Sequence, residues 1–371
     1  MTKVACTIMR GGTSKGVFFK YNDMPKDKSK WNDFLLDVMG SPDARQIDGL
    51  GGANSLTSKV AIIKKSDKNN YDIEYTFAQV SLTERMVDFK GNCGNILSAV
   101  APFAVNEGLV AITNSKMKVR IFNTNTNKLV VSEVEIENEE AKVEGDTCIS
   151  GIPNSGSPIY LSFYNPEGSV TGKLLPTGNV MDSIETSRGK INISIVDAAN
   201  PLVFINAKDI GLKGTELPNE LTENDLKRIE EIRSMAAEMC GFANKEEATK
   251  ISPAIPKATI ISTPSEYVDL SGIKRNKDNM DVVVRMMSMQ KPHKAIAITG
   301  AICITVAANI EGTLVSKIAK SNNNNNKLKI AHSGGIMETV ANLNNGKIES
   351  VKVVRTARRI MDGYVYTRER Y

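Results

Sequence analysis

Cys93 stands where a thiol could do chemistry. The segment Val87-Asp88-Phe89-Lys90-Gly91-Asn92-Cys93-Gly94-Asn95-Ile96-Leu97-Ser98-Ala99-Val100 reads as a strand, a tight turn with two glycines and the start of an apolar helix. Unpaired amides at a helix start, with the positive end of its dipole, favour a bound carboxylate. The same field favours the thiolate of a cysteine placed there. Cys93 is then a nucleophile or proton-transfer group, or else a small side chain filling a corner. Lys59 is the second candidate. It opens the strand Lys59-Val60-Ala61-Ile62-Ile63 behind the glycine-rich loop Gly49-Leu50-Gly51-Gly52. A lysine there is normally a solvated edge residue. Covered by the loop, such a side chain would favour its neutral amine, the form a general base needs.

Two further segments carry weaker signals. Met9-Arg10-Gly11-Gly12-Thr13-Ser14-Lys15-Gly16 looks superficially like a phosphate loop but lacks the Gly-x-x-x-x-Gly-Lys-Ser/Thr spacing. Donors in its turn would still suit a carboxylate. His293 precedes a second apolar helix, at a place in the second half close to that of Cys93 in the first; His332 falls in another turn, before Ser333-Gly334-Gly335. Cys6, Cys148, Cys240 and Cys303 flank no comparable turn and read as packing residues.

Strands and buried helices must position these groups. Short β-branched runs such as Val17–Phe19, Val60–Ile63, Val130–Val134, Ile191–Val196, Ile260–Ile261, Val282–Val284 and Val351–Val354, bounded by Gly, Asn, Asp and Pro, predict strands. Amphipathic helices are expected over Trp31–Met39, stopping at Gly40, and over Leu226–Met239, with Thr222 or Asn224 as the N-cap. Ile96–Asn106 and Ala301–Asn309 are apolar on nearly all sides, so each belongs inside a core. The order repeats. Val17-Phe18 matches Val203-Phe204, Lys59–Ile63 matches Lys257–Ile261, and the helix after Cys93 matches the one after Thr299-Gly300. Two similar α+β domains are expected, 1–185 and 186–371, each a curved, mostly antiparallel sheet around one buried helix, with the active site in the cleft between them. Turn formers at Leu175-Pro176-Thr177-Gly178-Asn179 mark the boundary, and Asn322–Asn326 reads as a hairpin tip or loop.

Composition narrows the function classes. Of 371 residues, 41% are hydrophobic and 24% charged, which suits a folded globular chain rather than a disordered one. No apolar run approaches the ~20 residues of a membrane helix, and no signal core opens the sequence. Five scattered cysteines argue against a disulfide framework and for a reducing cytoplasm. Two histidines and no Cys-x-x-Cys pair leave no recognisable zinc site, so no metal is expected. The net charge of +5 mildly favours anionic ligands. The densest basic run, Arg355-Thr356-Ala357-Arg358-Arg359, lacks the aromatic interleaving of a nucleic-acid binder.

Taken together, Arg10–Phe19, Gln46–Ile63, Thr76–Val80, Asp88–Val110, Asn123–Lys128, Thr171–Asn179, Val196–Phe204, His293–Ala308 and Arg355–Tyr366 resemble the PrpF family of isomerases. That family includes 2-methylaconitate cis–trans isomerase, 3-methylitaconate Δ-isomerase and oxalomesaconate tautomerase. The resemblance covers nearly the whole chain. It implies the diaminopimelate-epimerase fold, and a lysine and a cysteine as acid–base groups, which by motif are Lys59 and Cys93. Ser14 and His293 fall on positions that look like active-site supports. Diaminopimelate epimerases carry a second catalytic cysteine in a Cys-Gly-Thr-Gly turn. This chain has Ala297-Ile298-Thr299-Gly300 there, which disfavours a two-thiol racemase.

The implied reaction moves a proton across an allylic system in a small unsaturated di- or tricarboxylate, without cofactor. The helix starts, at Asn92, Gly94 and Asn95 and at Thr299, Gly300 and Ala301, are expected to hold its carboxylates. Which of Lys59 and Cys93 is the base stays open. The alternatives are an amino-acid or hydroxy-acid racemase on the same fold and a non-catalytic carboxylate-binding protein. A homodimer is expected, with no nucleic-acid or membrane partner.

Overall fold

The computed structural model describes residues 1–89, 92–320, 326–368 and 371. The chain divides into two compact units, Met1–Tyr164 with Val354–Tyr371, and Asn165–Val353.

In the first unit, β1 (Thr2–Gly11) and β2 (Ser14–Lys20) form an antiparallel hairpin. Helix α1 (Trp31–Met39) leads to β3 (Lys59–Lys65), which runs parallel to β2 with Val17 opposite Val60. β4 (Ile73–Val80) returns antiparallel along β3 and also holds the two-residue β5 (Val87–Asp88). After α2 (Gly94–Leu97) and α3 (Val100–Asn106), β6 (Lys116–Asn123) joins β4 in parallel. β7 (Lys128–Glu137), β8 (Glu140–Ala141) and β9 (Ile159–Tyr164) extend this sheet antiparallel.

Alternation along these strands feeds two cores, one on each face. Val17, Phe19, Val60 and Ile62 pack with Trp31, Phe34, Leu35 and Val38 of α1. The intervening residues face the other way, where Phe18 meets Phe103 of α3 with ring centroids 5.5 Å apart. α1 stops at Gly40, whose φ of 72° is the left-handed conformation a glycine adopts without strain. The inner helix differs from the expected unbroken Ile96–Asn106: it is interrupted at Ser98–Ala99. Pro102 is the reason. It has no N–H for the carbonyl of Ser98, four residues earlier, and its ring crowds that carbonyl. The bonds at the junction shorten to three-residue steps, Ser98 to Asn95 and Ala99 to Ile96.

The second unit repeats this plan. β10 (Asp182–Thr186), β11 (Gly189–Ala198) and β12 (Asn200–Asn206) form a meander. α4 (Glu223–Met239) starts at a reciprocal Thr222–Asp225 capping box, and the short α5 (Ala248–Ile251) follows. β13 (Lys257–Ser262) runs parallel to β12, with Val203 opposite Ala258. Beyond the small ribbon β14 (Tyr267–Val268) and β15 (Lys274–Arg275), β16 (Val282–Ser288) lies antiparallel to β13 and holds β17 (Lys291–Pro292). Helix α6 (Ile298–Ala308) is buried on almost every side, and α7 (Leu314–Ile318) packs nearby. β18 (Lys327–His332) is parallel to β16, and β19 (Gly335–Asn344) and β20 (Lys347–Arg355) close the unit antiparallel. The sequence match is thus a match of registers: in both units a strand opening on lysine, Lys59 or Lys257, pairs in parallel with the strand before the outer helix.

The division expected at 185/186 differs from the observed one in two ways. β21 (Ala357–Thr367) pairs with β1 along its whole length, from Thr2 opposite Thr367 to Gly11 opposite Ala357, which makes it part of the first unit. The turn formers at Leu175–Asn179 lie inside the second unit, where Thr177 and Asn179 hydrogen-bond the carboxylate of Asp182. Of the asparagine run, residues 322–325 lie outside the described residues. Among the described residues no helix is long and apolar enough to cross a membrane.

Candidate active site

Lys59 and Cys93 both belong to the first unit, and β4 links them. Lys59 is opposite Gln79 in the β3–β4 register, and its Nζ donates to Gln79 Oε1 at 2.5 Å. Gln79 Nε2 in turn donates to the carbonyls of Ser58 (2.8 Å) and Ser55 (3.2 Å). Those are acceptors only, so the amide has one sensible orientation and its oxygen must face the lysine. The Phe77 ring, on the same face of β4, lies 5.2 Å from Nζ. Lys59 is only 7% exposed, and among the described residues no carboxylate pairs with it. Its amine is therefore held by a neutral oxygen and an aromatic face.

The loop before Lys59 is anchored by Gln46, itself 1% exposed. Its Nε2 donates to Ser58 Oγ at 2.7 Å and to Ser41 Oγ at 3.0 Å, and its Oε1 accepts from the Ala53 amide. Gly51 leaves no room for a side chain, since a Cβ there would overlap the Gln46 amide. Gly51 thus allows close approach to a buried amide, while Gly49 lies against the Gly40 backbone and Gly52 against Thr57.

Two residues along β4 from Phe77, Tyr75 is fully buried and its hydroxyl has no hydrogen-bond partner among the described residues. Burial holds this phenol well above its ordinary range, and the charge of Cys93 adds to the effect. Cys93 is half-buried at the N-cap of α2, with extended backbone and no side-chain cap. Asn92 is tied down by Asn123, the register partner of Tyr75, which donates to Asn92 Oδ1 at 2.8 Å. Asn125 donates to the carbonyls of both Phe77 and Phe89. The turn that carries Cys93 is thereby bound to the strand that holds Lys59.

Asn95 braces the opposite wall. Its Oδ1 accepts from the Thr13 amide at 3.5 Å and from Arg355 Nε at 3.3 Å. A Cβ on Gly11 would lie 2.4 Å from the Asn95 carbonyl oxygen, and one on Gly16 would lie 2.8 Å from the Lys59 carbonyl oxygen. Only glycine lets the hairpin approach the helix so closely. Ser14, on that hairpin, is 2% exposed and its Oγ is unpartnered among the described residues. The oxygens of Asn92 and Asn95 hold protein, so their amide nitrogens are what remains to meet a carboxylate. Gly94 is buried.

In the second unit, His293 Nδ1 accepts from the Ala295 amide at 2.9 Å. A nitrogen that accepts carries no proton, so the neutral ring has its hydrogen on Nε2. α6 begins at Ile298 with no side-chain cap. Thr299 is half-buried in its first turn, whereas Gly300 serves packing: a Cβ there would collide with Met286. Ala301 does not fit the expected substrate contact. It is fully buried, its amide donates to the Ala297 carbonyl and its carbonyl accepts from Thr305 Oγ1. His332 is buried too, with Nδ1 accepting from the Gly334 amide. Sequence reasoning missed Gln79, Phe77 and Tyr75. Only the strand register brings them to Lys59 and the Cys93 turn, on one face of β4.

A cavity of about 400 Å³ lies in the first unit, beside Phe103, Glu107, Lys20 and Arg359 at the far end of α3 from Cys93. Lys20 and Arg359 both pair there with Glu107. Among the described residues no three His, Cys, Asp or Glu side chains cluster as metal ligands would.

Comparison with known proteins bears on the whole chain. The family model described as PrpF protein matches residues 1–368. The 3-methylitaconate isomerase of Eubacterium barkeri is 46% identical over 368 residues, covering 98% of this chain and 97% of that protein. A crystal structure of methylitaconate-delta-isomerase superposes with a TM-score of 0.90 at 44% identity, covering 99% of this chain and 96% of the other. A hydroxyproline epimerase from Agrobacterium vitis shares the fold, with a TM-score of 0.51 at 11% identity, covering 98% and 92%.

Proposed function

This chain belongs to the PrpF family, and on that premise we propose that it is an isomerase that moves a proton within a small unsaturated di- or tricarboxylate, with 3-methylitaconate the first candidate. The observation that carries the reading is β4, on which Gln79 and Phe77 hold the Lys59 amine and to which Asn123 and Asn125 tie the turn that carries Cys93.

The chemistry follows from these groups. One of the pair removes a proton from the carbon next to a carboxylate, which leaves a delocalised dienolate. A proton is returned at the other end of the allylic system, and the double bond moves. Such carbon acids are weak, so stabilising the anion matters as much as the base. First-turn amides of α2 and the amide nitrogens of Asn92 and Asn95 supply fixed donors for that charge, each worth about 2.7–4 kcal/mol where preorganised. Lys59 can take up or release a proton without breaking an ion pair, because its partner is the Gln79 carbonyl oxygen. Ser14 and His293 are assigned supporting roles. The five free thiols suit a reducing cytoplasm.

Proton NMR of 3-methylitaconate in deuterated water tests the reading. Vinyl and methyl signals should shift as the double bond moves, whereas a racemase would exchange only an α-proton of an amino or hydroxy acid. Lys59→Ala and Cys93→Ser are each expected to lower turnover at least about a hundredfold, with melting temperatures near that of the wild type. Wild-type turnover in either variant removes that residue from the mechanism.

A further inference from the structure

Gly11 faces the central helix, since a Cβ there would meet Asn95 and Ile96. Neighbouring residues of a strand point to opposite faces, so Arg10 lies on the other side of the sheet. On that side Arg10 is directly opposite Lys15 of β2 and directly opposite Arg358 of β21. Three cations therefore stand in one cross-strand row, spanning about 10 Å at ~4.8 Å per strand. Like charges directly opposed are destabilising.

Among the described residues no carboxylate pairs with Arg10, Lys15 or Arg358, whereas the adjacent Arg359 pairs with both Glu107 and Asp362. Arg10 is half-buried and Arg358 exposed. Burial, and then the charge of Arg358, pull the Arg10 guanidinium below its usual range, with no offsetting anion. Among the described residues only Nη1 of Arg10 is committed to protein, donating to the carbonyls of Gly12 (3.0 Å) and Thr356 (2.8 Å), which fixes the group in place. The loop beside it is pinned by the Lys15 amide, which donates to the Leu56 carbonyl.

We propose that the row Lys15–Arg10–Arg358 is a second anion site, on the sheet face opposite Asn95, for a small molecule bearing two or three carboxylates. Two guanidinium forks with a lysine alongside suit carboxylates on neighbouring or next-but-one carbons. The row includes neither Lys59 nor Cys93, and the proposal stands whether or not the isomerase reading does.

Calorimetric titration of the whole chain with tricarballylate, a saturated tricarboxylate that cannot isomerise, tests it. The wild type should show a binding event that Arg358→Gln weakens at least tenfold and that Cys93→Ser leaves in place. Arg358→Gln without ligand should melt at or above the wild-type temperature, because a repulsion has been removed. An isotherm unaltered by Arg358→Gln, or by Arg358→Gln with Lys15→Gln, overturns the site. Tighter binding of inorganic pyrophosphate than of tricarballylate overturns the carboxylate assignment.

Discussion

Lys59 and Cys93 differ from the chain's other lysines and cysteines in what surrounds them, and the thiols make the contrast measurable. Burial pushes the Cys240 thiol up to about 12, with Asp197 and Asp182 adding to the rise. Burial raises Cys303 further still and raises Cys6 as well. Because the thiolate is the nucleophile, a raised thiol reacts slowly until the pH approaches its own value. Iodoacetamide at pH 8, followed by peptide mass spectrometry, should therefore label exposed Cys148 and half-buried Cys93 at least tenfold faster than Cys6, Cys240 and Cys303. Labelling of Cys240 at the rate of Cys148 would contradict this. At this scale the sequence was informative where local chemistry decides: Gly91-Asn92-Cys93-Gly94 announces a helix start, and the thiol lies at its N-cap. It was silent on Gln79 because nothing local distinguishes that glutamine, and its contact with Lys59 exists only through a pairing between strands.

The hairpin and the broken helix work as one element. Gly11, Gly12 and Gly16 let β1 and β2 close onto α2, and Asn95 bridges the two through the Thr13 amide. Gly11→Ala would place a methyl group 2.4 Å from a backbone oxygen that has no free rotation to escape. It should cost about 1–3 kcal/mol of stability and reduce turnover, since Ser14 is carried on the same hairpin. Gly363→Ala is the matched control, because its nearest neighbour, Met361 Cε, would be 3.7 Å away. Equal melting temperatures for the two variants would show that the close approach is unimportant. The outer helices were readable to within a few residues, Trp31–Met39 from its apolar spacing and Gly40 stop, and α4 from Thr222. The break at Ser98 was missed although Pro102 was visible, because an all-apolar segment shows no phase that an interruption could disturb.

The repeat gave the fold its outline, since both halves carry the same order of parallel and antiparallel pairings. It misplaced the division because β21 is recruited across almost the full length of the chain, and strand sequences carry little information about distant partners. The consequence can be tested by expressing the pieces. Residues 165–353 form one continuous unit and should give a cooperative melting transition alone. Residues 1–164 lack β21, which β1 pairs with along all ten of its residues, and should not. Joining 354–371 to that fragment through a flexible linker should restore folding; a sharp transition in 1–164 by itself would show the added strand to be dispensable.

That borrowed strand also sets a timetable for the newborn protein. As the polypeptide leaves the ribosome, the stretch made first has to wait for the stretch made after residue 353 before its sheet is complete, while the middle can settle earlier. In the interval the backbone of Thr2–Cys6 lacks the strand it pairs with, and among the described residues β2 pairs with β1 only from Thr7 onward, the kind of open edge that invites pairing with another molecule. Brisk translation or chaperone cover over that interval should improve the yield of native protein more than any change to the middle of the chain.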